Sequence, residues 1–172
     1  MSLKILDERE RKAVNAGLVL DRISEPEKWR LFEDILKSGS ALRVKVTGRS
    51  MTPFLRGGEI LTLKKADCSS LKRGDLILFR NTAGYPILHR IVQTIREKSR
   101  AIAFQTKGDA LIAFDDPVQE NEILGKVCRI EKGPRSINME TRIQGRLNYV
   151  IAVAGLLKSR FSSALHRFKN LV

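Results

Sequence analysis

The sequence predicts a mainly β protein. A partly closed, barrel-like β core lies between an N-terminal helical segment and a C-terminal amphipathic helix. Three observations carry this. Apolar residues switch to a period of two at Leu42, turn formers recur between short apolar runs as far as residue 134, and a helical period returns after Thr141.

In order along the chain, residues 4–22 are rich in Glu, Arg, Lys, Ala and Leu, which favours helix. Ser24 with Glu27 three residues later, and Pro26 between them, signals a second helix start. Trp29, Phe32, Ile35 and Leu36 follow at helical spacing, up to a stop near Ser38-Gly39. Leu42, Val44 and Val46 alternate with Arg43, Lys45 and Thr47, the pattern of a half-buried strand. Further strands are predicted at 59–64, 75–79, 87–92, 101–106 and 123–131. Gly57-Gly58, Gly74-Asp75, Gly84, Pro86, Gly108, Pro117 and Gly133-Pro134 supply the turns. Past Thr141, Leu147, Val150, Ile151, Ala154, Leu157, Phe161, Leu165 and Phe168 share one broad helical face. The predicted organisation is a helical segment over 1–40, a β domain over 41–135 and a basic amphipathic helix over 136–172.

Charge is uneven. The chain of 172 residues has a net charge of +13, but residues 1–40 balance eight basic against eight acidic side chains. Residues 129–172 hold nine basic and two acidic. A basic tail of this kind suits an anionic surface, phospholipid or nucleic acid. Aromatics make up only 6% with no interleaved Arg/aromatic stripe, which argues against nucleic acid. The longest apolar run, Tyr149 to Leu157, is far short of the roughly 20 residues a membrane span needs, and Met1 to Lys12 is mostly charged. The expectation is a chain without signal peptide or membrane span, cytoplasmic or peripheral at a membrane. Cys68 and Cys128 form no metal-ligand spacing with histidine, and Gly57-Gly58 and Lys107-Gly108 lack the ending of a nucleotide-phosphate loop. No metal or cofactor is predicted.

Chemistry-bearing residues are few. Ser50 lies in Gly48-Arg49-Ser50-Met51-Thr52-Pro53, just after a predicted strand. Such a turn can hold a hydroxyl clear of its backbone and aim the Ser50 N–H at a developing oxyanion, although most serines in Gly/Pro loops only form turns. A serine nucleophile needs a base. His89 sits in the apolar strand Pro86-Ile87-Leu88-His89-Arg90-Ile91-Val92, where a histidine can equally be a satisfied core residue, and His166 in the basic tail reads as a surface residue. Lys107 is a rival base, because a desolvated lysine can serve a serine dyad. Asp109, Asp115 and Asp116 are carboxylates that could orient the base or simply form turns.

Four segments occur in a telling order. They are Val46–Pro53, then Leu71-Lys72-Arg73-Gly74-Asp75-Leu76-Ile77, then Leu88-His89-Arg90-Ile91-Val92, then Thr106-Lys107-Gly108-Asp109 with Asp115-Asp116. Together they resemble the signal peptidase I family, in the wide sense that includes self-cleaving LexA-like repressors. The resemblance covers roughly residues 41–130 and implies a β-rich serine peptidase core. It places the nucleophile at Ser50, with its backbone N–H, Met51 and Pro53 shaping the oxyanion side. It places the base at His89, where bacterial members carry lysine and the endoplasmic-reticulum type carries histidine. For the orienting acid it offers Asp115 or Asp116 and also Asp109. Asp116 is the expected one, with Asp109 next.

Three positions depart from the family pattern. Residues 1–49 hold no apolar run long enough for the membrane anchor the family leads one to expect, Gly58-Glu59 replaces a Gly-Asp turn, and Gly48 replaces a serine that helps the oxyanion site in some bacterial members. The implied partner is an extended peptide or preprotein cut beside small residues. Two alternatives stand beside it: a self-cleaving regulator cut at Ala16-Gly17, and a non-enzymatic basic binder of nucleic acid or membrane surface.

Overall fold

A computed structural model describes residues 3–5, 24–96 and 102–169. Its centre is one antiparallel sheet. The strands are β1 (Leu3–Ile5), β2 (Leu42–Val46), β3 (Ile60–Lys65), β4 (Leu76–Arg80), β5 (Pro86–Arg96), β6 (Ile102–Lys107), β7 (Val118–Gln119), β8 (Ile123–Lys132) and β9 (Arg135–Asn138). They follow the order β1-β2-β3-β8-β4-β5-β6-β7, with β9 beside β8, so the sheet stays open with β1 and β7 at its ends. Among the described residues two α-helices flank it, α1 (Glu25–Lys37) and α2 (Arg142–Lys169).

The expected mainly β core with a C-terminal helix is what the structure contains. Part of the predicted first helix is not helical. Lys4 and Ile5 belong to β1, which pairs antiparallel with β2. The gain is a covered edge, since β2 would otherwise present unpaired backbone groups. Residues 6–23, including the Ala16-Gly17 bond, lie outside the described residues, as does the side chain of His166.

α1 begins as its sequence signal requires. The Glu27 carboxylate accepts from the Ser24 backbone N–H at 2.9 Å and its hydroxyl at 2.6 Å, and Pro26 sits in the first turn. Its apolar stripe, Trp29, Phe32 and Leu36, is buried with Val44, Leu61, Leu63, Val127 and Ile130 from β2, β3 and β8. Met51 and Leu55, from the turn after β2, are fully buried in the same cluster. The serine turn is thereby tied to the main core. A smaller cluster, Leu71, Ile77, Phe79, Ile91, Phe104 and Val118, fills the other side of the sheet.

α2 contradicts a simple reading of its amphipathicity. Among its described side chains the buried ones are Asn148, Ala152 and Ser159, while Ile143, Leu147, Val150, Leu157 and Phe161 are 50–82% exposed. The small side chains let the helix come very close. A Cβ added to Gly74 would stand 2.8 Å from the Asn148 and Tyr149 backbone, and only glycine also accepts the φ of +99° found there. The turn Lys72-Arg73-Gly74-Asp75 is therefore the seat of α2. The apolar face predicted from spacing exists, but it points away from the domain. Among the described residues, no helix is long and apolar enough to cross a membrane.

Candidate active site

Ser50 lies in the turn 49–54 after β2. Thr52 N–H donates to the Arg49 carbonyl at 3.1 Å and Leu55 N–H to that of Met51 at 2.8 Å, while the Met51 side chain is buried and Pro53 is exposed. Glu59 closes the chain behind this turn, its carboxylate accepting from Arg56 and Gly57 N–H at 2.8 Å each. Glutamate, longer than the aspartate expected from the resemblance, thus still ties the turn.

Across from Ser50, β5 supplies His89, which is 4% exposed and edge-on to Phe79. Its Nε2 lies 3.0 Å from Ser50 Oγ, although the residues are 39 positions apart in sequence. Its Nδ1 lies 2.7 Å from Asp115 Oδ2. The same carboxylate oxygen accepts from Thr106 Oγ1 at 2.7 Å, and Gln105 Nε2 donates to the Asp115 carbonyl at 2.5 Å. Asp115 N–H pairs with the Thr106 carbonyl at 3.0 Å, so the loop 108–117 returns alongside β6 and directs this carboxylate inward.

The expected orienting acid is therefore corrected. Asp116, the next residue, is exposed, and Asp115 is the one that meets His89. A backbone held to Thr106 at residue 115 leaves its successor facing solvent. Asp109 is engaged elsewhere. Its carboxylate takes two hydrogen bonds from Arg90, Nε at 2.9 Å and Nη2 at 2.8 Å. Arg90 has no solvent exposure, donates from Nη1 to the Gly74 carbonyl at 3.0 Å, and lies over the Phe54 ring. One guanidinium thus joins β5, the turn seating α2, the start of the 108–117 loop and the end of the serine turn.

Lys107, the rival base, is buried with its ammonium directed to two carbonyls, Leu111 at 2.5 Å and Gly108 at 3.2 Å. Burial pushes its pKa down, with the Lys158 charge adding to the effect and Asp109 and Asp115 opposing it. α2 covers this segment, with Ser159 Oγ donating to the Ile112 carbonyl at 2.6 Å. Gly108 explains itself by space. An added Cβ would sit 2.6 Å from the Ser50 carbonyl oxygen and 3.0 Å from His89 Nε2. Ala110 N–H also donates to that Ser50 carbonyl, at 2.9 Å.

Sequence reasoning missed Arg90, Thr106, Gln105 and Ser159 as supports. Arg90 left a usable signal, since a charge inside an apolar strand needs a buried counter-charge, and Asp109 was a candidate for it. Nothing in the local pattern marks Ser159 as a contact of residue 112.

The arrangement is a hydroxyl, an imidazole and a carboxylate in a hydrogen-bonded line. Such a line can remove a proton from the hydroxyl while the carboxylate holds one imidazole tautomer. No family model matches the chain. Over 86 residues it is 33% identical to "Signal peptidase I W" of Bacillus subtilis, covering 49% of this chain and 45% of that one. Over 100 residues it is 34% identical to "Signal peptidase complex catalytic subunit SEC11" of Eremothecium gossypii, covering 58% and 59%. The chain spans about half the length of these curated relatives. Across the part that matches, the chain is similar to these two signal peptidases.

Proposed function

We propose that the chain is a serine endopeptidase of signal peptidase type. Ser50 Oγ attacks the carbonyl of an extended peptide as His89 Nε2 takes its proton, and the imidazolium then protonates the leaving amine. Asp115 holds Nδ1–H and balances the transient positive charge. Water repeats the attack on the acyl-serine, with His89 again as base. The observation that carries this is the 3.0 Å and 2.7 Å pair of contacts on the two nitrogens of one buried imidazole. Asp109, paired with Arg90, is assigned to holding the loop rather than to the reaction. Met51 anchors the turn in the core.

The names of the two relatives support a preprotein substrate, and the family resemblance points to cleavage beside small residues. The outward face of α2 supports attachment to a bilayer surface. Ile143, Leu147, Val150, Leu157 and Phe161 are exposed together, beside Arg142, Arg146, Lys158 and Arg160. Burying one apolar face in the interface, with cations near anionic lipid, is enough for reversible binding.

The test is cleavage of a preprotein-derived peptide by the purified protein. Ser50→Ala and His89→Ala should each abolish turnover while circular dichroism stays unchanged. Full activity in either variant would end the assignment. For the membrane, wild-type protein should float with anionic vesicles, and Ile143→Ser/Leu157→Ser/Phe161→Ser should not.

A further inference from the structure

A groove of about 790 Å³ lies away from Ser50, between the turn that seats α2 and the first turns of that helix. Lys72, Arg73, Lys126, Arg142 and Arg146 line it, against the carboxylates of Asp75 and Glu140. Both acids already have partners. Asp75 Oδ2 accepts from Lys126 Nζ at 2.9 Å and from Lys72 N–H at 3.0 Å, and Glu140 meets Lys64 at 3.3 Å. Five cations against two carboxylates leave the lining of this concavity with a net charge of +3. The N-terminal end of α2 adds partial positive charge, and no acidic residue occupies its first turn. One wall is apolar: Tyr149 lies beneath the Arg73 guanidinium, and Val150 closes the groove toward the outward face of α2.

We propose that this groove binds the phosphate headgroup of an anionic phospholipid, whose acyl chains lie along Leu147 and Val150. The inference rests on the reading that α2 faces a bilayer, and it adds a discrete headgroup site to that contact. Charge selects the occupant. α2 carries six Lys and Arg residues and no Asp or Glu, so a second copy of the chain meeting the same face would bring cation against cation. A soluble phosphate or a nucleic acid would use the cations but leave Leu147 and Val150, 50% and 61% exposed, unused. A phospholipid uses both.

The test uses the full chain and dihexanoyl phosphatidylglycerol kept below its micelle concentration, so that no membrane surface potential contributes. Amide NMR should show saturable shifts at Gly145 and Tyr149. Arg73→Gln/Arg146→Gln should weaken binding about tenfold or more, since each cation near a lipid phosphate is worth roughly a fivefold factor. Lys158→Gln/Arg160→Gln, which lie outside the groove, should change it less than about twofold. Glycerol 3-phosphate, lacking tails, should bind at least about tenfold more weakly. Equal loss in the two double variants would mean diffuse charge, and equal affinity for glycerol 3-phosphate would mean a soluble phosphate ligand. Absent shifts would mean no site. Each of these three results overturns the proposal. Vesicle flotation separates the two readings: flotation without shifts leaves membrane attachment standing and removes the groove, whereas shifts without flotation do the reverse.

Discussion

The two ends of the 108–117 loop each carry an aspartate facing a nitrogen base, and the two are used differently. Asp109 meets a guanidinium that is permanently charged and wholly buried, held by two parallel hydrogen bonds. Asp115 meets an imidazole that can gain and lose a proton, and beyond that imidazole stands a hydroxyl. A fixed ion pair can fasten chain segments but has no proton to trade. A carboxylate–imidazole–hydroxyl line can trade one. On the proposed reading, the partner's chemistry, more than the acid itself, decides which end supports the fold and which belongs to the reaction.

That contrast breaks most sharply at Asp115. Asp115→Asn should cut kcat by about 10³–10⁴-fold by favouring the wrong tautomer of His89, with stability changed by less than about 1 kcal/mol. Peptide turnover beside a denaturant melt checks both halves, and undiminished turnover would remove Asp115 from the reaction. Asp109→Ala should do the opposite. It strands the Arg90 charge and should cost about 3–5 kcal/mol of stability, with activity retained by whatever fraction stays folded. A stable but inactive Asp109→Ala protein would show the two ends to be less distinct than drawn.

Between them, Gly108→Ala puts a methyl group against the Ser50 carbonyl and His89 Nε2 and should slow turnover about 100-fold through displacement of the reacting groups. Lys107→Met should keep activity within about tenfold, and complete loss would return lysine as the base. The same variant tests the burial of the ammonium. A folded-state pKa held below the ordinary 10.5 means the folded protein sheds this proton before the unfolded chain does. Stability therefore rises with pH between the two values, and Lys107→Met should abolish that rise in denaturant melts taken on approach to pH 10.5. Asp116→Asn, on an exposed side chain, should change turnover by less than about twofold.

Much of this was legible in the chain. The period-two runs and their Gly and Pro punctuation locate β2, β3, β4, β5, β6 and β8 closely, because half-buried strands must alternate. β1, β7 and β9 are too short to show a period, and their pairing depends on strands far away in sequence. Ser50 and His89 were legible as a pair through four ordered segments. Asp115 was not separable from Asp116, because neighbouring residues share composition and differ only in where the backbone bond to Thr106 turns them. α2 is the instructive case. Spacing found its apolar face, yet a face becomes buried only where two surfaces fit, and here Asn148, Ala152, Gly155 and Ser159 allow the closer approach.

The most direct measurement is to catch the covalent step. The protein would be mixed with a slowly hydrolysed peptide ester, quenched in acid within one turnover, digested and mapped by mass spectrometry. A Ser50 nucleophile activated by His89 predicts an acyl group on the peptide containing Ser50, absent in Ser50→Ala and in His89→Ala. An acyl group on another residue, or cleavage that continues in Ser50→Ala, would contradict it.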